Sequence, residues 1–216
     1  FHVNVSNRWP MRAMCFATVL SMTAFVSVPS SAQTRNAQSV WPVYHHDQAG
    51  TGVAPGRLRL SALRAVWTSP TLDGQLYGEP LVASGLVIAA TENDTVYALS
   101  ARSGDVVWSR HLGAPIPATD LPCGDITPSV GITSTPVIDP VRHEVFVVAA
   151  EQGRNGPAHE LVGLNLRTGA LLLRENVDPP NANRLALLQR VALNLDAGSV
   201  VFGYGGNYGD CSSYHG

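Results

Sequence analysis

Oxygen-bearing side chains gather in the turn segments of this chain: Glu79, Glu92, Asn93, Asp94, Asp120, Asp125, Glu151 and Asp210, with His215 close to the last. Carboxylates and amides of this kind can coordinate a hard cation such as calcium. The competing reading is that they close turns, because Asn and Asp side chains satisfy neighbouring backbone groups. His45-His46-Asp47 offers a second donor group. Adjacent residues on an extended chain point to opposite sides, so the two imidazoles do not readily share an ion, and no metal ligand is assigned. The run Gly203-Tyr204-Gly205-Gly206-Asn207-Tyr208-Gly209 looks like a dinucleotide loop, but Tyr208 stands where the third glycine belongs. No helix signal follows, so a wide turn is expected instead of a phosphate cradle. Asn93-Asp94-Thr95 is a glycosylation sequon, which matters only where exported proteins are glycosylated. There is no Gly-x-Ser-x-Gly elbow, Walker loop or paired metal-ligand cysteine spacing, and no catalytic residue is assigned.

The cysteines depend on the compartment, and the N-terminal segment speaks to that. Met11-Arg12 begins a short positive region, Cys15 to Val28 is apolar and uncharged, and Ser30-Ser31-Ala32 supplies small residues for cleavage. This reads as an export signal following upstream residues 1–10, with the mature chain starting near Gln33. A membrane span is the alternative, but the stretch falls short of the ~20 residues a bilayer requires. The expected location is therefore periplasmic or extracellular, with no membrane span in the mature chain. Cys123 and Cys211 remain as an even pair in an oxidising compartment and are expected to form a disulfide; two unpaired thiols are the other reading. The 216 residues are 45 % hydrophobic and 14 % charged, with a net charge of −2, which fits a globular chain. All 14 basic residues are Arg, and none forms a basic stripe, so nucleic acid is not an expected partner.

The elements that would position these side chains repeat. Gly78 to Ala90 is echoed by Ser134 to Ala150 and again by Arg190 to Gly203, with Pro80, Pro136 and Ala192 each 56 positions apart. In the first unit the strands read as A (78–83), B (86–90), C (95–100) and D (106–110), with turns at Ser84-Gly85, at 92–94 and at 102–104. In the second they read as A (133–138), B (144–150), C (161–166) and D (171–175), with 151–159 as a loop. The third unit shows A (190–194) and B (199–203) only. Leu185, Leu188 and Val191 would share a helical face, but the repeat register favours loop and strand there. The B strands are apolar on both alternating sets of side chains, so both sheet faces must be covered by neighbours. Four strands per repeat at this period indicate an all-β propeller of four-stranded antiparallel blades.

At the C–D hairpin the residues resemble a known family. Val96-Tyr97-Ala98-Leu99-Ser100-Ala101-Arg102-Ser103-Gly104-Asp105-Val106-Val107-Trp108 is similar to the repeat of pyrroloquinoline-quinone (PQQ)-type propellers. Ser100 and Ser103 replace the usual Asp and Thr. The second copy, 161–173, keeps Thr168-Gly169 but has Asn165 for Asp and Leu173 for Trp. The lead-in Trp41-Pro42-Val43-Tyr44-His45-His46-Asp47, with Thr51-Gly52, also resembles the opening of such proteins. Physically, Gly104 and Gly169 allow positive φ, while Trp67 and Trp108 present flat surfaces for docking between blades.

The resemblance implies a ring of seven or eight blades, of which about two and a half are present here. It divides the chain into 1–32, a lead-in at 33–59, and a partial propeller at 60–216 with units near 76–112, 131–177 and 187–216. Family members are either quinoprotein dehydrogenases holding PQQ and calcium or non-catalytic propellers, including an outer-membrane assembly lipoprotein. The expectation is a non-catalytic binding or scaffold module whose loop face meets a protein, glycan or small ligand. The alternative is a PQQ-dependent alcohol or sugar dehydrogenase with its active residues in blades not present. No cofactor is assignable to matched positions, and PQQ and calcium remain possible only for a longer protein. In an up-and-down meander the D-to-A and B–C connections emerge together. Glu79, Glu92, Asn93, Asp94, Asp125, Asp210 and His215 should therefore share one face with Cys123 and Cys211.

Overall fold

The apolar runs fold as strands whose ends are set by the turn residues. A computed structural model describes residues 2–4, 40–54 and 64–207. The strands are β1 (His2–Asn4), β2 (Leu81–Ala83), β3 (Leu86–Ala90), β4 (Thr95–Ser100), β5 (Val106–His111), β6 (Ile116–Pro117), β7 (Ser129–Val130), β8 (Val137–Asp139) and β9 (Glu144–Gly153). They continue with β10 (Gly156–Asn165), β11 (Leu171–Asn176), β12 (Leu187–Leu188), β13 (Asn194–Asp196), β14 (Ser199–Val201) and β15 (Gly205–Gly206). Among the described residues the only helical pieces are 3-10 turns at Ala118–Asp120 and Arg184–Ala186, so the fold is all-β.

Two sheets are complete four-stranded meanders, β2-β3-β4-β5 and β8-β9-β10-β11, each antiparallel throughout. Ser84 and Gly85 turn β2 into β3 with φ of 54° and 76°, and Ala197 and Gly198 turn β13 into β14 with φ of 46° and 82°. Two successive positive φ values match the right-handed strand twist, which makes both turns tight hairpins. The tight second turn corrects the expected third-unit strand A at 190–194. Because Asp196 must pair with Ser199, the strand is Asn194–Asp196, and the repeat slips by one residue. The first strands of the other units are also shorter than expected, beginning at Leu81 and Val137.

The expected loop at 151–159 is instead a continuous ladder from Gly153↔Gly156 to Glu144↔Asn165. Its Gly and Pro residues read as breakers, yet Pro157 lies opposite Gln152, beyond the stretch of β10 that pairs with β11. Proline is tolerated where the ladder needs no N–H on that side. In the third sheet, order β1-β14-β13, the backbone of His2–Asn4 takes the position that strand C holds in the other two. That tripeptide belongs to the segment set apart above as upstream sequence.

The sheets stack face to face. Val145, Val147 and Ala149 of β9 meet Ile88, Ala90, Val96 and Ala98 of the first sheet, all buried. The alternate residues Phe146 and Val148 meet Leu193, Val200 and Phe202 of the third unit. Both faces of β9 are thus covered, as its uninterrupted apolar run requires. The outer strands are wetter, with Val107 of β5 53 % exposed.

At the rim, Trp67 lies over Gly104 and Trp108 over Gly169. A β-carbon added at Gly104 would stand 2.4 Å from Cε3 of Trp67, and one at Gly169 would stand 2.7 Å from Cε3 of Trp108. Both glycines have positive φ, 79° and 67°. Each indole N–H donates to a backbone carbonyl of the same neighbour, Ala101 at 3.1 Å and Leu166 at 3.0 Å. Shape and polarity are satisfied together, which an aromatic residue with a polar handle can do.

Candidate functional site

The loops that the meander brings together form one face, where the B–C turn of the first sheet meets the crossing to the second. Glu92 follows β3 and is 2 % exposed. Its Oε2 accepts from the Gly131 N–H at 2.7 Å and from the Thr133 hydroxyl at 3.1 Å. Its carbonyl accepts from Ser129 Oγ at 3.1 Å. Burial raises its carboxyl above the usual range, against the opposing pull of the Gly131 and Thr133 hydrogen bonds and of Arg190. Asp94, fully buried at φ 53°, approaches the same glycine: a β-carbon on Gly131 would stand 2.7 Å from its Oδ1. Among the described residues neither Asp94 carboxyl oxygen makes a hydrogen bond. Burial, then the charges of Glu151 and Glu92, push its pKa up to about 9, so it is a neutral acid at neutral pH.

Glu151, near the far end of β9, is held by Arg174, whose Nη1 reaches both carboxylate oxygens at 2.8 and 2.9 Å. Arg174 also donates from Nη2 to the Leu112 carbonyl at 3.0 Å. Asn93 donates to Asp73 Oδ2 at 2.9 Å. Asp73 accepts as well from Thr91 at 2.9 Å and from Thr95 at 2.6 Å. Burial opposes its ionisation, but the bonds from Thr95, Asn93 and Thr91 outweigh that and lower its pKa. A cleft of about 260 Å³ opens beside this network, lined by Asp73, Gln75, Glu92, Asn93 and Ser129 among others.

Glu79 lies on the crossing into β2, where Oε1 accepts from the Trp41 indole at 3.1 Å and Oε2 from the His45 N–H at 3.0 Å. Asp120 and Asp125 are exposed on the excursion between β6 and β7. Cys123 is on the same excursion, its Sγ 2.7 Å from the Asn207 carbonyl oxygen. Asp210, Cys211 and His215 lie outside the described residues. His45 and His46 both adopt positive φ, 57° and 78°; their side chains are engaged by a Tyr44 ring stack and by Asp47, respectively.

Two features gave no sequence signal. Asp73 sits in an irregular stretch without periodicity. His159, 1 % exposed, meets Asp178 at 2.8 Å, and Arg184 Nε binds the other Asp178 oxygen at 3.1 Å. Burial disfavours the Asp178 carboxylate, but the His159 and Asn176 bonds and Arg184 lower its pKa overall. The Tyr204 hydroxyl donates to the Val177 carbonyl at 3.1 Å, and its ring stands edge-on to His159. Burial raises the Tyr204 pKa, as do Asp178 and Glu160. This cluster pins the second unit to the third.

A family model described as "Outer membrane protein assembly factor BamB" matches residues 56–209. The chain belongs to this PQQ-like repeat family. The chain is also similar to quinohemoprotein alcohol dehydrogenase ADHIIG from Pseudomonas putida HK5, with TM-score 0.57 and 19 % identity over 78 % of its own length. It matches BamB from Moraxella catarrhalis over 62 % of its length, with TM-score 0.39 and 19 % identity. The chain spans 23 % of the first structure's chain and 31 % of the second's. None of the curated proteins matches it. At 19 % identity the likeness to the dehydrogenase is one of fold, the β-propeller, and a fold hosts many functions. No helix among the described residues is long and apolar enough to cross a membrane.

Proposed function

We propose that this PQQ-like propeller segment belongs to an exported, periplasmic or extracellular, non-catalytic scaffold that binds a partner protein through its loop face. The observation that carries this reading is how its acidic side chains are used. Glu79, Glu92, Glu151 and Asp73 hold loops to one another through the bonds described above. Such groups shape a rigid face and are not poised toward a substrate. The description of the matching family, an outer-membrane protein assembly factor, supports a protein partner.

The described part of this face favours the scaffold over a site for a tricarboxylated quinone and its calcium. Carboxyl groups crowd it, Arg174 is committed to Glu151, and Asp94 stays protonated. Among the described residues no three acidic, His or Cys side chains are grouped to hold a metal ion. The complete protein, titrated calorimetrically with PQQ and calcium, should give no heat, and dye reduction with alcohols and sugars should stay at background. Saturable PQQ binding with substrate-dependent dye reduction would establish the dehydrogenase alternative and overturn the proposal.

A further inference from the structure

The lead-in is fastened to all three units at the same relative place. Trp41 forms an antiparallel bridge with Val82 of β2, its N–H donating at 2.6 Å and its carbonyl accepting at 2.9 Å. One residue on, the Pro42 carbonyl accepts from the Ile138 N–H of β8 at 2.7 Å. Val43 is buried in the cluster between the second and third units. Gln48 then donates from Nε2 to the Leu195 carbonyl of β13 at 2.6 Å. Strands β2, β8 and β13 are the edges of their sheets, and in each unit they are strand A. Glu79 clamps the start of this path by taking the Trp41 indole and the His45 N–H on its two oxygens.

We propose that residues 41–48 act as an inner strap that ties the strand A edges of the three units and sets their angular spacing. An unpaired sheet edge exposes backbone donors and acceptors, which must be covered or left to water. One short segment covers three edges at once. From residue 41 to residue 48 a fully extended chain reaches at most about 25 Å. Sheets packed face to face stand about 10 Å apart, so two gaps span about 20 Å. The strap includes a turn, with His46 N–H donating to the Val43 carbonyl at 2.9 Å, and so falls short of full extension. It bridges three units because their strand A edges converge. Consecutive positive φ at His45 and His46 is the local strain that redirects the chain from the second unit to the third.

Amide hydrogen exchange on the complete protein tests this. Val82 and Ile138 donate to the strap, so their N–H groups report whether it is seated. Glu79→Gln leaves one acceptor oxygen for two donors, the Trp41 indole and the His45 N–H, and sets an amide NH2 against the other, while Gln48→Ala removes the third-unit anchor. If the segment works as one strap, each variant speeds Ile138 exchange about fivefold, the effect of losing one net hydrogen bond, although neither residue touches Ile138. Glu79→Gln also speeds Val82, while Val87 in the middle of the first sheet keeps its protection in both. Deletion of 40–54 should deprotect Val82 and Ile138 together. Unchanged Ile138 exchange in both point variants would overturn the proposal, and so would equal loss at Val87, since that reports general unfolding. These readouts do not depend on any ligand, so they stand apart from the scaffold assignment.

Discussion

Replacing Gly104 by alanine isolates the Trp–Gly contact between units. Gly104 has φ of 79°, where an L-residue is strained by about 1 kcal/mol. The new β-carbon would stand 2.4 Å from Cε3 of Trp67, far inside the ~3.5–4.0 Å of favourable carbon contacts. The indole cannot simply retreat, because its N–H is bonded to the Ala101 carbonyl at 3.1 Å. Overpacking of this kind costs about 1–3 kcal/mol, so the total loss should be about 2–4 kcal/mol. Gly156 supplies the control: its φ is 93° but nothing lies within 4 Å of the added carbon, so Gly156→Ala should show the backbone part alone. In a Trp67→Ala background the Gly104→Ala penalty should likewise fall to about 1 kcal/mol, leaving a coupling of about 1–3 kcal/mol. Urea denaturation of the complete protein, followed by far-UV circular dichroism, gives the four stabilities of this cycle. If Gly104→Ala costs no more than Gly156→Ala, and costs the same with and without the indole, the contact is not tight and the reasoning fails. Gly169 and Trp108 should behave in parallel.

Asp94 governs a pH dependence. Its folded pKa, about 9, is raised above the ordinary carboxyl value, so the folded state keeps a proton that the unfolded state releases. Stability should therefore fall as pH rises from about 4 to about 9, at no more than about 1.4 kcal/mol per pH unit. Asp94→Asn should flatten that slope in thermal melts across the range, and an unaltered slope would assign the effect elsewhere. Cys211→Ser should give a non-reducing mass that carries two hydrogens beyond the sulfur-for-oxygen exchange, those of an opened Cys123 disulfide, and lower stability by roughly 4 kcal/mol under the chain-entropy model. A variant that melts with the parent and shows a free thiol in both would end the pairing proposal.

The first unit was the most legible part of the chain. Leu86–Ala90 and Thr95–Ser100 are strands at the expected bounds, because short apolar runs flanked by Ser84-Gly85, Asn93-Asp94 and Ser103-Gly104 leave the backbone few choices. The second unit misled where Gly153, Gly156 and Pro157 read as loop, although a hairpin extension tolerates them. Glu92, Asp94 and Glu151 lie close enough for their charges to act on one another, as loops joined by a meander allow. The groups that hold this region carry no periodic or motif signal: Gly131 serves Glu92, Arg174 serves Glu151 and Asp73 serves Asn93, each well separated along the chain from its partner.

By itself the sequence determined local matters: strand identity, the tight turns, the repeat, and the need to cover both faces of each apolar strand. These are short-range consequences of side-chain alternation and glycine conformation. Only the tertiary structure decided which carboxyl would stay protonated, which arginine would be consumed, and how the lead-in would cross three sheet edges. Those outcomes depend on the distance and angle between stacked sheets. Burial and pairing arise there between groups that chain order keeps apart.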